Sequence, residues 1–433
     1  MNFLKKIFSP GALIISILLL IYTFYQSEIN FDGSMRNYYF IYYIISTTLV
    51  FLSVLTFFIN PNIKEYLIIS IITLIPSLYI FEIYLHYKEY SLTKVYEEKN
   101  NKKWDNRSRY EIYNDLKKIN NNIAMTVAPI LYINKNYSIF PLSGVSNSKT
   151  INCNENGYFS IYQSDRFGFN NPDKEWDSKN IEYLLVGDSY AHGACVNRPN
   201  DISSVLRTLS NKSVLNLGYG GNGPLLEYAT LREYLNSNVK NILWLYYEPN
   251  DIEWLPVEMS DKILVSYLND LNFTQDLKLK QNKINELTYN FIEKEAFKER
   301  KKINKTFSKK EIVHFIKFYK TRRFFIPEKI DPVPPEFEKI LKLTKELAAK
   351  KNSNLYFVYL SSYVRNKEKY NNTNYNLVKK IINDLDINFI DIHQEVFEKK
   401  ENPLLLFPFG FNGHYNVEGY KRVAETIYKF TKN

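Results

Sequence analysis

Apolar residues crowd the first ninety positions of this 433-residue chain, and the pattern then changes character. Residues 8–25 are almost wholly apolar, residues 38–59 carry no charge, and residues 67–81 are apolar before running into Glu82. Each run approaches the roughly 20 residues a helix needs to cross a bilayer, with the third on the short side. Residues 1–86 are therefore expected to form three transmembrane helices. Residues 87–150 lack strong periodicity. Asn-Lys clusters such as EEKNNKKWDNRSR (97–109) read as a linker or accessory segment, with a short helix at 110–119. From residue 181 onward, short apolar runs alternate with helical patterns. Strands are expected at 183–186, 213–217, 241–246, 354–360 and 387–392, and helices at 202–210, 225–235, 335–350, 376–385 and 417–429. Such alternation calls for a parallel sheet with helices on both faces, and in such sheets ligands bind outside the C-terminal strand ends. The α/β domain is expected to cover 151–433, interrupted between its third and fourth strands by a helical insertion, 258–335, with an exit hinge at 331–335.

Charge changes the picture of that insertion. The formal net charge is +10, and residues 276–329 hold sixteen Lys/Arg against seven Asp/Glu, a local +9. Apolar positions recur there every three or four residues, so the stretch reads as a solvated basic helix, with anionic lipid headgroups or an anionic glycan as the alternative contact. No zinc-finger, basic-zipper or RNA-recognition signature accompanies it, which excludes nucleic acid as the expected partner. The abundance of Tyr, Asn, Lys and Ile is read as nucleotide bias in the source genome and not as a binding device.

Lys5 and Lys6 suggest a cytoplasmic N-terminus. Three spans from an inside start leave the α/β domain extracytoplasmic, periplasmic or at the cell surface. The lysines after the third span argue the other way, but long domains translocate largely regardless of charge. A cleaved signal peptide competes for the first span, without a clear small-residue cleavage site. The two cysteines, Cys153 and Cys195, both follow the spans, and an oxidising compartment favours a disulfide between them. Cys195 lies six residues after Ser189, so a bridge would pin the Cys153 loop near it.

Candidate chemistry falls at the strand ends. Gly187-Asp188-Ser189 follows the first expected strand and opens a helix, whose N–H groups and dipole suit a nucleophile. NLGYGGNGP (216–224) follows the second strand, EPND (248–251) the third, and FNGHYNVEGY (411–420) precedes the last helix. This order resembles the SGNH/GDSL hydrolase superfamily, over residues 181–433. The resemblance implies a flavodoxin-like three-layer parallel sheet of SGNH hydrolase type. It implies Ser189 as nucleophile, His414 as base, and an oxyanion hole from the N–H groups of Ser189 and Gly221 with the amide of Asn250. Gly187 and Asp188 then hold the turn.

Two positions depart from the family pattern. Glu248 stands where the family has glycine, and the aspartate expected two or three residues before the histidine is replaced by Asn412 and Phe411. Asn412 is the candidate third member, able to accept from the imidazole but not to stabilise imidazolium by charge. Asp391, at the fifth strand's end, is the other candidate. Arg166 and Asn170, in a Gly/Asn/Asp-rich stretch, are open between turn structure and a substrate role. GYGGNG (218–223) also fits a dinucleotide loop with Glu248 as ribose-binding acid, but that leaves Ser189, Asn250 and His414 unexplained. No metal or cofactor is expected.

The resemblance implies a membrane-anchored serine esterase working through an acyl-Ser189 intermediate on O-acyl groups of envelope or exported carbohydrate. Transfer to a sugar hydroxyl would need a multi-span acyltransferase partner. The rival from another class is a non-catalytic glycan-binding or assembly protein on a degenerate scaffold.

Overall fold

The computed structural model describes residues 2–30, 33, 36–88, 92–135, 137–235, 238–302, 309–322, 332–366 and 370–432, without the side chains of 37, 86–88, 92, 296–302 and 309–311. The first residue of the expected exit hinge and the His86 side chain thus lie outside the described residues. The chain divides into two compact units: Met1–Tyr90 with Asn304–Pro332, and Ser91–Ile303 with Val333–Asn433. The first begins with α1 (Asn2–Phe24), α2 (Arg36–Leu55) and α3 (Pro61–Lys88).

The second unit opens with α4 (Leu92–Asn100) and α5 (Arg109–Lys117) and a small sheet of β1 (Ile123–Met125), β2 (Lys149–Ile151) and β3 (Ile161–Gln163). The alternation then follows: β4 (Ile181–Gly187), α6 (Ser189–His192), α7 (Ile202–Ser210), β5 (Val214–Asn216), α8 (Pro224–Tyr234), β6 (Val239–Tyr247), α9 (Glu248–Glu258), α10 (Lys262–Asn269) and α11 (Gln281–Lys302). The chain visits the first unit as α12 (Lys309–Ile316) and α13 (Tyr319–Arg322). It returns with α14 (Pro335–Lys350), β7 (Asn354–Leu360), α15 (Thr373–Asp384), β8 (Asn388–Asp391) and α16 (Val417–Thr431).

The main sheet has the order β5-β4-β6-β7-β8 and every pairing is parallel, the α/β fold class expected from the alternation. Side chains alternate across it. Leu184, Val186, Leu215, Trp244 and Phe357 meet α8 and α14 in one core, and Tyr183, Leu185, Leu245, Val358 and Ile390 meet α7 and α16 in the other. Helix ends follow local chemistry: Asp201 caps α7 through Ser204 N, Asn211 closes it in the left-handed region, and Asn416 caps α16 through Gly419 N.

Two stretches depart from the expectation. The segment read as a linker supplies core residues, among them Ile112, Tyr113, Ile123, Ala124 and Leu142. The insertion read as a solvated, basic helical segment divides. Its first half buries Leu264, Tyr267, Ile284 and Ile292 in the second unit, while Asn304–Pro332 belongs to the first.

Among the described residues of the first unit, three helices are long and apolar enough to cross a membrane. Small polar residues mark the contact of α1 with α2: Ser9 Oγ donates to Thr56 O at 3.0 Å, and Ser16 Oγ to Ser53 Oγ at 3.2 Å. Small side chains let helix backbones approach closely where lipid offers no hydrophobic drive. α3 is longer than the run of 67–81 suggested. Glu82 does not end it, because its buried carboxylate accepts the Lys320 N–H at 2.9 Å, the Thr321 N–H at 2.8 Å and the Thr321 hydroxyl at 2.7 Å.

Candidate active site

Ser189 is the first residue of α6, directly after the C-terminal end of β4. Gly187 ends that strand, and its carbonyl accepts Tyr219 N–H at 3.1 Å. Asp188 caps α6 by accepting Tyr190 N–H at 2.8 Å. The Ser189 Oγ lies 2.8 Å from His414 Nε2, on the loop before α16. The His414 ring stands 5.0 Å from that of Tyr190, whose hydroxyl donates to Gly413 O at 3.1 Å.

The group behind the histidine is Glu155, which sequence reasoning missed. Its Oε1 is 2.9 Å from His414 Nδ1, and its Oε2 accepts the His414 backbone N–H at 2.7 Å. The close approach requires Gly413, since a Cβ there would meet Glu155 Oε2 at 2.7 Å. Asn412 is exposed. The Nδ1 partner is Glu155 and neither expected candidate. Asp391 is engaged elsewhere, with Tyr375 and with Gln394 N–H.

The Glu155 loop is fixed on both sides. Cys153 and Cys195 are joined by a disulfide with a Cα–Cα distance of 4.9 Å, and Asn156 Nδ2 donates to Cys195 O at 2.9 Å. Cys195 Sγ lies 3.8 Å from His414 Nδ1. Glu155, Cys195 and His414 bring potential metal-ligand atoms within 4.8 Å of one another, but the disulfide leaves Cys195 no thiolate to offer.

Burial pulls the His414 pKa down, but the Glu155 carboxylate, aided by Asp188, overcomes it, and the net shift is upward from 6.5. For Glu155, burial pushes upward and the hydrogen bonds from His414 prevail, so its carboxyl lies below the usual range. An anionic Glu155 thereby holds the imidazole with its proton on Nδ1 and Nε2 facing the serine hydroxyl.

On the other side of Ser189 lie the loop after β5 and the start of α9. Gly221 has φ +79°, and a Cβ there would meet Ala128 Cβ at 2.8 Å. Both features restrict the position to glycine. Glu258 holds this loop by accepting Gly223 N–H at 2.7 Å and Leu225 N–H at 2.9 Å, which caps α8 from a distance. Burial pushes the Glu258 carboxyl up to about 7 against these bonds. Among the described residues, neither Ser189 N–H nor Gly221 N–H has an intramolecular acceptor. Asn250 Nδ2 donates to Asp188 Oδ2 at 2.8 Å, which anchors the amide and leaves its second N–H to donate.

The other candidates take structural places. Glu248 is bound by Tyr359 and by Tyr370 at 2.6 Å, so its carboxylate is already engaged and no ribose acid is offered beside the glycine loop. Arg166 pairs with Asp173 and Asp177, and Asn170 donates to His192 O at 3.0 Å. His192 is buried against Tyr219, and burial lowers its pKa to about 4.

No protein-family model matches the chain, and no curated protein matches its sequence. Among solved structures it is similar to a protein assigned to the G-D-S-L family of lipolytic proteins, from Desulfitobacterium hafniense DCB-2. That match has 14% identity over 58% of this chain and 99% of the other, with a TM-score of 0.34. It is also similar to the acetyl xylan esterase AlAXEase, at 13% identity over 58% and 99% with a TM-score of 0.33. A catalytic mutant of an acetylxylan esterase from Geobacillus stearothermophilus matches at 13% identity over 58% and 94%, with a TM-score of 0.32.

Proposed function

We propose that this chain is a membrane-anchored serine esterase of SGNH type with its α/β unit on the extracytoplasmic side. The observation that carries this reading is the continuous relay Glu155–His414–Ser189, with links of 2.9 and 2.8 Å at the C-terminal end of a parallel strand. In the proposed reaction, His414 Nε2 takes the Ser189 proton as Oγ bonds to an ester carbonyl carbon. Glu155 stabilises the imidazolium by charge. The oxyanion is met by Ser189 N–H, Gly221 N–H and Asn250 Nδ2–H, each donor contributing about 10²–10³ in rate. Collapse breaks the ester C–O bond, and the alcohol leaves with the proton from Nε2. Water, deprotonated by the same nitrogen, then releases the acid from acyl-Ser189.

The substrate class, O-acyl groups of envelope or exported carbohydrate, rests on the family resemblance and on the proposed location. A sugar hydroxyl in place of water turns the same intermediate to transfer, and that version requires a multi-span partner to supply acyl groups. The rival non-catalytic reading drew on the missing aspartate and on Glu248, and the Glu155–His414 pairing answers the first of these. The test is labelling by a fluorophosphonate probe in native membranes, with hydrolysis of p-nitrophenyl acetate by the purified full chain. Ser189→Ala is expected to abolish both. Undiminished hydrolysis in that variant would refute the reading.

A further inference from the structure

The returning segment of the first unit gives a second element with a membrane character. α12 is only eight residues long, yet Ile312, Val313, Phe315 and Ile316 are 48%, 44%, 38% and 58% exposed. Four large apolar side chains in water on so short a helix are costly, at about 25 cal/mol per Å² of apolar surface left uncovered. The segment is also basic: residues 309–323 hold Lys309, Lys310, Lys317, Lys320, Arg322 and Arg323 against Glu311 alone.

Its docking fixes its level along α3. Tyr79 donates to Ile316 O at 3.3 Å, and its ring lies 5.4 Å from Phe315 and 4.3 Å from Phe318. Glu82 accepts both N–H groups and the hydroxyl at the start of α13. The apolar span of α3 ends at Leu85. At 1.5 Å per residue, Glu82 and Tyr79 lie about 4.5 and 9 Å inside that end. That is the depth, about 5–10 Å, at which interfacial amphipathic helices rest. A carboxylate inside a span must also be satisfied, and among the described residues the hydrogen-bond partners of Glu82 come from this segment.

We propose that residues 309–322 form an interfacial membrane element in the leaflet where α3 ends, with Ile312, Val313 and Ile316 against lipid and the exposed Lys317 at anionic headgroups. The occupant of the apolar face is bilayer lipid, because the face is continuous with a helix that itself meets lipid. The α/β chain is then bound to the bilayer twice, through α3 and again between α11 and α14. This proposal rests on the spanning of α3 and not on the chemistry at Ser189.

The test uses the full chain in vesicles of phosphatidylcholine and phosphatidylglycerol, without reductant, so that only an introduced cysteine is labelled. An environment-sensitive fluorophore is attached in Ile316→Cys, with Leu74→Cys on α3 as the buried-in-lipid reference and Lys342→Cys on α14 as the aqueous one. Expected is a blue-shifted Ile316→Cys probe, quenched by lipid-attached nitroxides several-fold more than the Lys342→Cys probe. Quenching equal to that of Lys342→Cys overturns the proposal, as does shielding that needs another membrane protein. An unquenched Leu74→Cys probe removes the spanning of α3 and the proposal with it. Loss of esterase activity in any variant leaves the readout unaffected.

Discussion

Glu155 grips His414 twice, through Oε1 to the ring Nδ1 at 2.9 Å and through Oε2 to the backbone N–H at 2.7 Å. The two bonds fix both the tautomer and the position of the loop that carries the ring. Glu155→Gln keeps the size, removes the charge that stabilises imidazolium, and replaces one of the two oxygens that accept from His414 with an amide donor. The expected loss in kcat is about 10²–10⁴-fold. The pH profile separates charge from shape. The His414 pKa is raised above 6.5, so the neutral base, and with it the rate, appears only at a pH above that value. In Glu155→Gln the acid limb should move to lower pH. Asn412→Ala should leave both rate and profile unchanged; a large loss there would return the third role to Asn412.

The disulfide should act through Glu155. Cys153 lies two residues before it, and Cys195 borders the same imidazole. Bridging residues 42 apart removes chain entropy from the unfolded state worth about 4 kcal/mol. Cys153→Ser with Cys195→Ser should therefore lower the melting temperature, and below it should lower kcat more than it raises KM. Full kcat in the reduced, folded enzyme would show that Glu155 is held without the bridge.

Much of the sheet was legible because its strands are short apolar runs buried on both faces, as in residues 181–186. The same regularity located Ser189, Gly221 and Asn250 at strand ends before any distance was known. Glu155 was not legible, since it is 259 residues from His414 and sits in a loop without periodicity. Two signals bore on it: a disulfide candidate two residues away, and Gly413, whose missing side chain makes room for the carboxylate. The basic insertion misled for another reason. Its apolar positions recur at helical spacing among many lysines, but those apolar residues belong to two separate units.

In the proposed reaction the oxyanion donors make a graded series. Asn250→Ala removes one donor and also leaves Asp188 without the bond at 2.8 Å, so a loss of about 10²–10³ in kcat is expected. Gly221→Ala should cost at least as much, through strain at φ +79° and the clash with Ala128. Substrate KM should change little in Asn250→Ala. A loss confined to KM would mean that the amide binds the ground state instead.

Asp165 links the folding of the second unit to pH. Its carboxylate accepts Phe167 N–H and Phe169 N–H at 2.9 Å, Asn171 Nδ2 at 2.8 Å and Trp176 Nε1 at 2.7 Å. Asn171 in turn accepts Asn216 N–H at 2.8 Å, and Asn216 donates to Ala191 O at 2.7 Å beneath the Ser189 turn. Burial raises the Asp165 pKa from 3.8 to about 6, outweighing those four donors. A raised carboxyl pKa means the folded chain holds a proton that the unfolded chain has lost between these values. Its contribution to stability therefore falls as pH rises from about 4 to about 6, by about 3 kcal/mol. Asp165→Asn removes this titration and points amide hydrogens at existing donors, so it should also destabilise at every pH, by about 1–3 kcal/mol. Thermal melts of both proteins at pH 4.5 and 7 decide the matter. The gap between wild type and Asp165→Asn should be wider at pH 4.5, and an equal gap at both pH values would show that Asp165 is not the titrating group.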